Sequence, residues 1–389
     1  MSFNNPIPRS TSLVIHAACA LLFALFGFTY LFYLQGDLLS EAQYVFSGGV
    51  TTYYRGAGAV IITALLMLLQ WGVNRVSRLE GRFHAVSYFI PFVLLGMTTS
   101  LTRGTISHFS FGGWCWALPL LLALYCLAAW CLNRYHNLSI VDGDYHLCRY
   151  LWPNFLTLFV MMAVCGACGK AGDVYLYELK TERLLLSEDY DKAGEVGIKS
   201  LAVSPRLNNL RCYALMREDQ LADRLFDYPQ PYGSQGLIDL TDTCTRLNRF
   251  TVNDICGYLG ALPNRLVTTP VQYLEIMLAT DSLPDRRVIA DYYLCALLLD
   301  RDLQKFRRAL PRYYRCTGPS DIVRLPRIYK EALILDHRYN SAHPTAFPDT
   351  LVASDYSQYN SIKEEFSDST ERSNQLHRKF GNTLWWHLE

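Results

Sequence analysis

The sequence predicts an all-α protein, a five-helix transmembrane bundle followed by a tetratricopeptide-like α-solenoid, on three observations. Five separated apolar stretches crowd residues 1–170, at about 12–34, 56–73, 85–101, 111–132 and 151–168. Residues 171–389 are polar overall, with apolar positions recurring at helical spacing. Strand patterns of alternating β-branched and aromatic residues are almost absent. The domains expected are therefore a transmembrane domain, 1–170, and a helical-repeat soluble domain, 171–389.

Each apolar stretch is close to the ~20 residues that cross a ~30 Å hydrocarbon layer. Lipid offers no partner to backbone N–H and C=O groups, so each is expected to be a helix that satisfies its own backbone. The first stretch, Ser12 to Leu34, exceeds the ~7–15 residues of a signal-peptide core and no small-residue cleavage site follows it, so it reads as a retained span. Between the first and second stretches, Gln35 to Arg55 reads as a short amphipathic helix on the membrane, ended by Gly48 and Gly49. Tyr53, Tyr54, Trp71, Trp114, Trp116 and Trp130 fall near span ends, as interfacial anchors do. The third stretch is the marginal one, because Pro91, Thr98, Thr99 and Ser100 weaken it.

Charge sets the expected orientation. Arg9, Arg75, Arg78, Arg82, Arg134 and Arg149 fall on one side of five crossings, against Arg55, Arg103 and Lys170 on the other. The positive-inside rule then makes the N-terminus cytoplasmic and puts the tail outside, which in a bacterium is the periplasmic face of the inner membrane. If the third stretch does not cross, the tail falls on the cytoplasmic side. The membrane part carries nine Lys or Arg against five Asp or Glu, and the tail twenty-seven against thirty. Neither balance is that of a nucleic-acid binder, which needs a concentrated basic face for phosphates.

In the tail, Tyr175 to Leu186 is expected to be a helix, Ser187 to Asp189 a turn and Tyr190 to Leu201 a second helix. The pattern recurs when residues 186–193 are set against 216–223 and 299–306, with polar turns at Asp189, Asp219 and Asp302. The first two turns stand close to the ~34-residue period of a tetratricopeptide repeat. Gln230 to Gly236 reads as a loop, Leu283 and Pro284 as a helix start, Asn340 to Ser357 as a loop, and Glu364 to Leu388 as a final helix. The tail cysteines, Cys212, Cys244, Cys256, Cys295 and Cys316, form no CxxC or zinc spacing and read as buried small hydrophobes.

Few constellations bear chemistry. Cys165 and Cys168 form a CxxC pair at the end of a span, where the helix dipole disfavours a thiolate, so close helix packing through Gly166 and Ala167 is the expected role. Asp37 and Glu41 share a helical face, as a first-outer-loop base or metal ligand of a glycosyltransferase-like enzyme acting on a lipid-linked sugar does; the plain reading is a solvated face. His16 is an ionisable group inside the first span, expected in an interfacial or interhelical hydrogen bond. Ser107 beside His108 lacks the elbow of a hydrolase nucleophile. There is no P-loop, GxGxxG or HExxH, so no cofactor or metal is expected, and the five core stretches hold no Asp, Glu, Lys or Arg, which disfavours ion-coupled transport. Arg286, Arg287, Arg301, Arg307, Arg308, Arg312 and Arg315 form a basic patch; Arg301, Arg307, Arg308 and Arg312 are the partner-binding candidates.

Residues 36–49 (Gly-Asp-Leu-Leu-Ser-Glu-Ala-Gln-Tyr-Val-Phe-Ser-Gly-Gly), 222–237 (Ala-Asp-Arg-Leu-Phe-Asp-Tyr-Pro-Gln-Pro-Tyr-Gly-Ser-Gln-Gly-Leu) and 380–386 (Phe-Gly-Asn-Thr-Leu-Trp-Trp) together resemble an uncharacterised bacterial family of multipass membrane proteins with a tetratricopeptide-like tail, a domain of unknown function. The resemblance implies an inner-membrane protein with an all-helical tail and carries over no catalytic residue. The function expected is that of a scaffold held by the lipid bilayer, with a tail that binds a protein or peptide partner.

Overall fold

The computed structural model describes residues 9–79, 81–99, 113–136, 147–168, 173–240, 249–264, 267–280, 286–335 and 347–388. Every regular element among them is helical. The chain divides into two units, Met1–Leu176 and Tyr177–Glu389.

In the first unit four helices are long and apolar enough to cross a membrane, Ser10–Leu34, Arg55–Ser77, Trp114–Arg134 and Cys148–Ala167. Over the third expected span the apolar helix is shorter, Gly81–Met97. The helices are α1 (Arg9–Thr29), α2 (Gly36–Phe46), α3 (Arg55–Ser77), a 3₁₀ helix (Gly81–Tyr88) running into α4 (Phe89–Thr99), α5 (Trp114–His136) and α6 (Leu147–Cys168). Ile15, Cys19 and Phe23 recur every four residues on α1 and are wholly buried with Ala59, Ala85, Leu95 and Leu158 of the neighbouring elements. The Phe23 ring meets Phe92 edge-on at 5.0 Å and Tyr88 at 5.1 Å.

Eight residues of 3₁₀ helix are unusual, because the geometry seldom persists beyond about four. Asn154, fully buried on α6, explains the run. Its Nδ2 donates to the carbonyls of Gly81 (2.8 Å) and Tyr150 (2.7 Å), and its Oδ1 accepts the N–H of Ala85 (2.7 Å). One amide thus satisfies backbone groups that an α-helix would have paired internally, which apolar surroundings otherwise penalise. Gln70 on α3 adds a bond from Nε2 to Ser87 Oγ at 2.9 Å. On α5, Asn133 donates to the Ser77 carbonyl at 2.8 Å and so closes the end of α3.

The second unit is built from α7 (Asp173–Leu186), α8 (Tyr190–Glu195), α9 (Pro205–Arg217), α10 (Leu221–Arg224), α11 (Val252–Leu259), α12 (Pro270–Ala279), α13 (Arg286–Leu299), α14 (Leu303–Tyr313), α15 (Pro319–Val323), α16 (Arg327–Leu335), α17 (Thr350–Glu365), α18 (Ser369–Phe380) and α19 (Leu384–Leu388). Several starts are written in the sequence. Ser204 and Thr269 each accept the N–H three residues on, with Pro205 and Pro270 at the first helical position. Thr251 and Asp254 form a capping box.

The three related turns share one geometry. The N–H groups of Asp189, Gln220 and Asp302 reach back to the carbonyls of Leu184, Leu215 and Leu297 at 3.0, 2.8 and 2.9 Å. Those of Glu188, Asp219 and Arg301 reach Leu185, Met216 and Leu298 at 3.0, 3.0 and 3.1 Å. This is the Schellman pairing, and its left-handed position is filled by Glu188 (φ 58°), Asp219 (φ 57°) and Arg301 (φ 59°) rather than by glycine. The structural register pairs Asp219 with Glu188, not with Asp189, so the sequence alignment of the second turn is corrected by one residue.

Helix α13 is the centre of this unit, with every residue from Ile289 to Leu299 buried. Helix α14 packs beside it, and α10 packs against both α13 and α16. Asp223 on α10 accepts the N–H of Arg327 at 3.0 Å, capping α16 from a remote part of the chain. Helix pairs therefore close around a shared central helix, beyond the neighbour-only stacking of an open solenoid.

Three predicted boundaries move. The helix expected to run from Tyr190 to Leu201 ends at Glu195, since Gly197 takes φ 71° and a Cβ there would lie 2.5 Å from the Arg211 guanidinium. The loop expected from Asn340 to Ser357 yields to α17 at Thr350, because Asp349 caps it by accepting the N–H groups of Leu351 and Val352. The final helix is broken into the end of α17, α18 and α19: Asp368 starts α18, and Gly381 turns the chain where a Cβ would meet the His377 carbonyl at 2.5 Å.

Candidate partner-binding groove

Two of the three segments that carry the family resemblance meet in the second unit. Residues 226–231 form one wall of an open groove of about 770 Å³, and 377–387 form the other. Buried polar bonds shape the first wall. Gln230 donates from Nε2 to the Leu225 carbonyl at 2.9 Å, while Asn208 donates to Gln230 Oε1 and to the Pro229 carbonyl, both at 3.1 Å. The Tyr228 hydroxyl donates to the Gly194 carbonyl. Behind Tyr228 lies the buried Arg211, its guanidinium 3.9 Å from the ring centre and donating through Nε and Nη2 to the Val196 carbonyl. Among the described residues no carboxylate pairs with this buried cation, which is offset by a ring face and a carbonyl. Burial lowers the Arg211 pKa from its ordinary value.

The second wall is anchored by Trp385, which donates from Nε1 to the Glu331 carbonyl at 3.1 Å. Glu331 is itself buried, accepting Arg327 Nε at 2.9 Å and the N–H of Leu384 at 2.8 Å. The chain turn at Gly381 leaves Asn382, Trp386 and His387 facing the groove. Trp386 and His377 meet edge-on at 5.3 Å, and His387 lies 4.9 Å from Phe226 across the groove. Arg301 ties the end together by donating to the His387 carbonyl at 2.9 Å. Burial and the neighbouring Arg301 hold the His387 imidazole below its usual pKa, hence neutral at pH 7.

The predicted basic patch is divided. Arg301 enters the groove through its left-handed turn, whereas Arg307, Arg308 and Arg312 lie along α14 and do not line it. Arg287 turns to a smaller pocket of about 270 Å³, 3.9 Å from Asp219. The floor of that pocket holds Asp291, whose Oδ1 accepts the hydroxyls of Tyr314 (2.5 Å) and Tyr329 (2.8 Å). Burial pushes the Asp291 carboxyl up, against the lowering pull of the two hydroxyls and Arg287.

In the first unit, Asp37 is half-buried in an ion pair with Arg55, and Glu41 is 3% exposed. The solvated-face reading of this pair is thus corrected: α2 turns both toward the other helices. His16 stacks on His84 with ring centroids 3.8 Å apart, an interhelical contact between α1 and the 3₁₀ helix. Cys165 is buried, and among the described residues nothing lies within 4 Å of a Cβ built on Gly166. The side chain of Cys168, and Ser107, His108 and Cys244, lie outside the described residues. Cys212, Cys256 and Cys295 are free and buried, as read from the sequence. Among the described residues no three His, Cys, Asp or Glu side chains are grouped to hold a metal ion.

Sequence reading marked 222–237 and 380–386 only as segments of a resemblance and did not mark Phe226, Tyr228, Arg378, Lys379 or Trp386 as one surface. The available signal was the clustering of Pro, Gly and aromatic residues in two polar-tail segments. No curated protein and no solved structure matches the chain. A family described as of unknown function, DUF6057, matches residues 266–389, which include Arg301 and the wall at 377–387 but not the wall at 226–231.

Proposed function

We propose that this protein is a membrane-anchored helical scaffold whose tail binds a protein or peptide partner in the groove between 226–231 and 377–387. The supporting observation is that groove: two separated segments are held in place by buried bonds, yet leave the half-buried Trp386 and the exposed Arg301, Arg378 and Lys379 along it, over the nearly buried Phe226 and Tyr228. Aromatic residues and arginine are the types that carry binding energy at protein interfaces. The competing reading, an enzyme acting on a lipid-linked substrate through Asp37 and Glu41, needs carboxylates open to substrate. Asp37 is engaged by Arg55 and Glu41 is buried, so the groove is the better supported site.

The proposal places the tail outside the bacterial inner membrane, with the N-terminus in the cytoplasm. Eight residues at the ~2.0 Å rise of a 3₁₀ helix and eleven at ~1.5 Å give Gly81–Thr99 a reach of about 32 Å, near the ~30 Å of the hydrocarbon layer. The 3₁₀ geometry thus supplies the length for a fifth crossing that seventeen residues of α-helix lack. An alkaline phosphatase fused after Leu388 should be active and a cytoplasmic fluorescent reporter dark; the reverse pattern rejects this orientation.

Photo-crosslinking in cells tests the groove itself. A photoreactive residue at Asn382 should give discrete protein adducts, and the same residue at the exposed Leu351 should not. Equal adducts at both positions, or none at 382, would remove the groove as the binding site.

A further inference from the structure

We infer that the groove takes an acidic, extended segment of a partner protein, its carboxylates set against Arg301, Arg378 and Lys379 and its apolar side chains against Phe226, Tyr228 and Trp386. This deepens the partner-binding reading and rests on it. Charge bookkeeping within the site carries the inference. The second unit holds more acidic than basic residues overall, yet its groove collects three fixed cations. Among the described residues its one lining carboxylate, Asp227, is engaged by Arg224 at 2.9 Å. Arg378 and Lys379 are exposed and make no ion pair among the described residues, and Arg301 meets only a carbonyl.

The uncharged polar groups point the same way. Trp386, whose indole nitrogen can only donate, and Asn382, whose amide can donate, also line the groove. A ligand that matches it brings acceptors and negative charge. The half-buried Trp386, over a floor of nearly buried Phe226 and Tyr228, adds apolar contact that exposed ion pairs cannot, since each such pair contributes little alone. A bilayer surface is flat, and this site is recessed between two walls; an extended chain enters such a recess, with alternate side chains directed to the floor and the rim.

The test uses the full-length protein in zwitterionic nanodiscs and fluorescence anisotropy with a labelled decapeptide alternating Glu with Leu, beside Gln/Leu and Lys/Leu counterparts. The Glu/Leu peptide should bind about tenfold more tightly than the Gln/Leu peptide and weaken as salt rises from about 0.05 to 0.5 M. The double variant R378Q/K379Q should lose about fivefold or more in affinity, and W386A likewise, whereas R308Q/R312Q should bind as the parent does. Equal affinity for the Glu and Gln peptides, with R378Q/K379Q silent, overturns the acidic partner while leaving the groove as a peptide site. Binding of no peptide overturns both readings. Nanodiscs containing phosphatidylglycerol provide the last arm: displacement of the Glu/Leu peptide by the anionic lipid, lost in R378Q/K379Q, would assign the cations to lipid and overturn the inference.

Discussion

The left-handed turn at Glu188 allows one stability prediction to be worked through. Glu188 has φ 58°, its side chain is exposed, and among the described residues no hydrogen bond or ion pair uses its carboxylate. Its N–H bonds Leu185 O at 3.0 Å and the next N–H bonds Leu184 O at 3.0 Å, so the conformation is dictated by the backbone. Holding a non-glycine residue there costs ~1–2 kcal/mol. Glycine removes that cost but loses ~0.5–1 kcal/mol to the greater freedom of the unfolded chain. Glu188→Gly should therefore stabilise the second unit by about 0.5–1 kcal/mol, or roughly 1–4 °C in Tm for a domain near 200 residues. Glu188→Ala, which keeps the Cβ, should change little.

The assay is pulsed thiol labelling of the full-length protein during a thermal ramp, with labelled peptides read by mass spectrometry. Cys212, Cys256 and Cys295 are at most 1% exposed, so their labelling reports opening of the second unit alone. Burial also pushes the Cys212 thiol up to about 12, which keeps it unreactive while folded. If Glu188→Gly labels at the same temperature as Glu188→Ala, backbone strain at the shared turn is not what distinguishes these positions, and the reasoning fails.

Three further outcomes are expected. Leu294→Ala, at a fully buried position on α13, should cost about 3 kcal/mol and lower Tm by roughly 6–12 °C; a loss below about 1 kcal/mol would show that α13 is not the tightly packed centre described. Asp291→Asn keeps an acceptor for both tyrosine hydroxyls and removes a buried charge. Because the folded-state pKa of Asp291 is raised, its neutral form contributes fully below the unfolded value near 3.9, and that contribution is lost as pH rises through the folded pKa. The variant should exceed the parent in Tm at pH 7.5 and match it near pH 3.5; a deficit at both pH values would refute the sign. Asn154→Leu strands the Gly81 carbonyl and the Ala85 N–H, each at ~1–3 kcal/mol, and should lower the melting temperature of the detergent-solubilised membrane unit, read by labelling of buried Cys19; an unchanged melt would mean the 3₁₀ helix stands without its clamp.

Local chemistry explains which features were readable in advance. The four long spans announce themselves because crossing lipid needs an uninterrupted apolar run, a requirement visible without any partner. The turns after Leu186, Arg217 and Leu299 were visible as polar breaks between apolar helix ends, but their common register was not: the left-handed position is defined by backbone bonds, and Glu, Asp and Arg there carry none of the glycine signal that usually marks it. The extent of α8 was hidden for a different reason, since Gly197 is demanded by Arg211, a residue of another helix.

The amino-acid order by itself determined the all-helical class, the apolar run before the polar tail and the burial of Cys212, Cys256 and Cys295, though not of the half-buried Cys316, because periodicity and hydropathy act over one or two helical turns. Only the tertiary structure decided that Asn154 sustains a 3₁₀ segment, that Asp37 and Glu41 turn inward, and that Arg301 parts from Arg308 and Arg312 to join Arg378 and Lys379. Those are long-range pairings, set by which helix faces must bury together around α13 and α1. Physical adjacency between residues far apart in the sequence leaves no periodic mark in the chain.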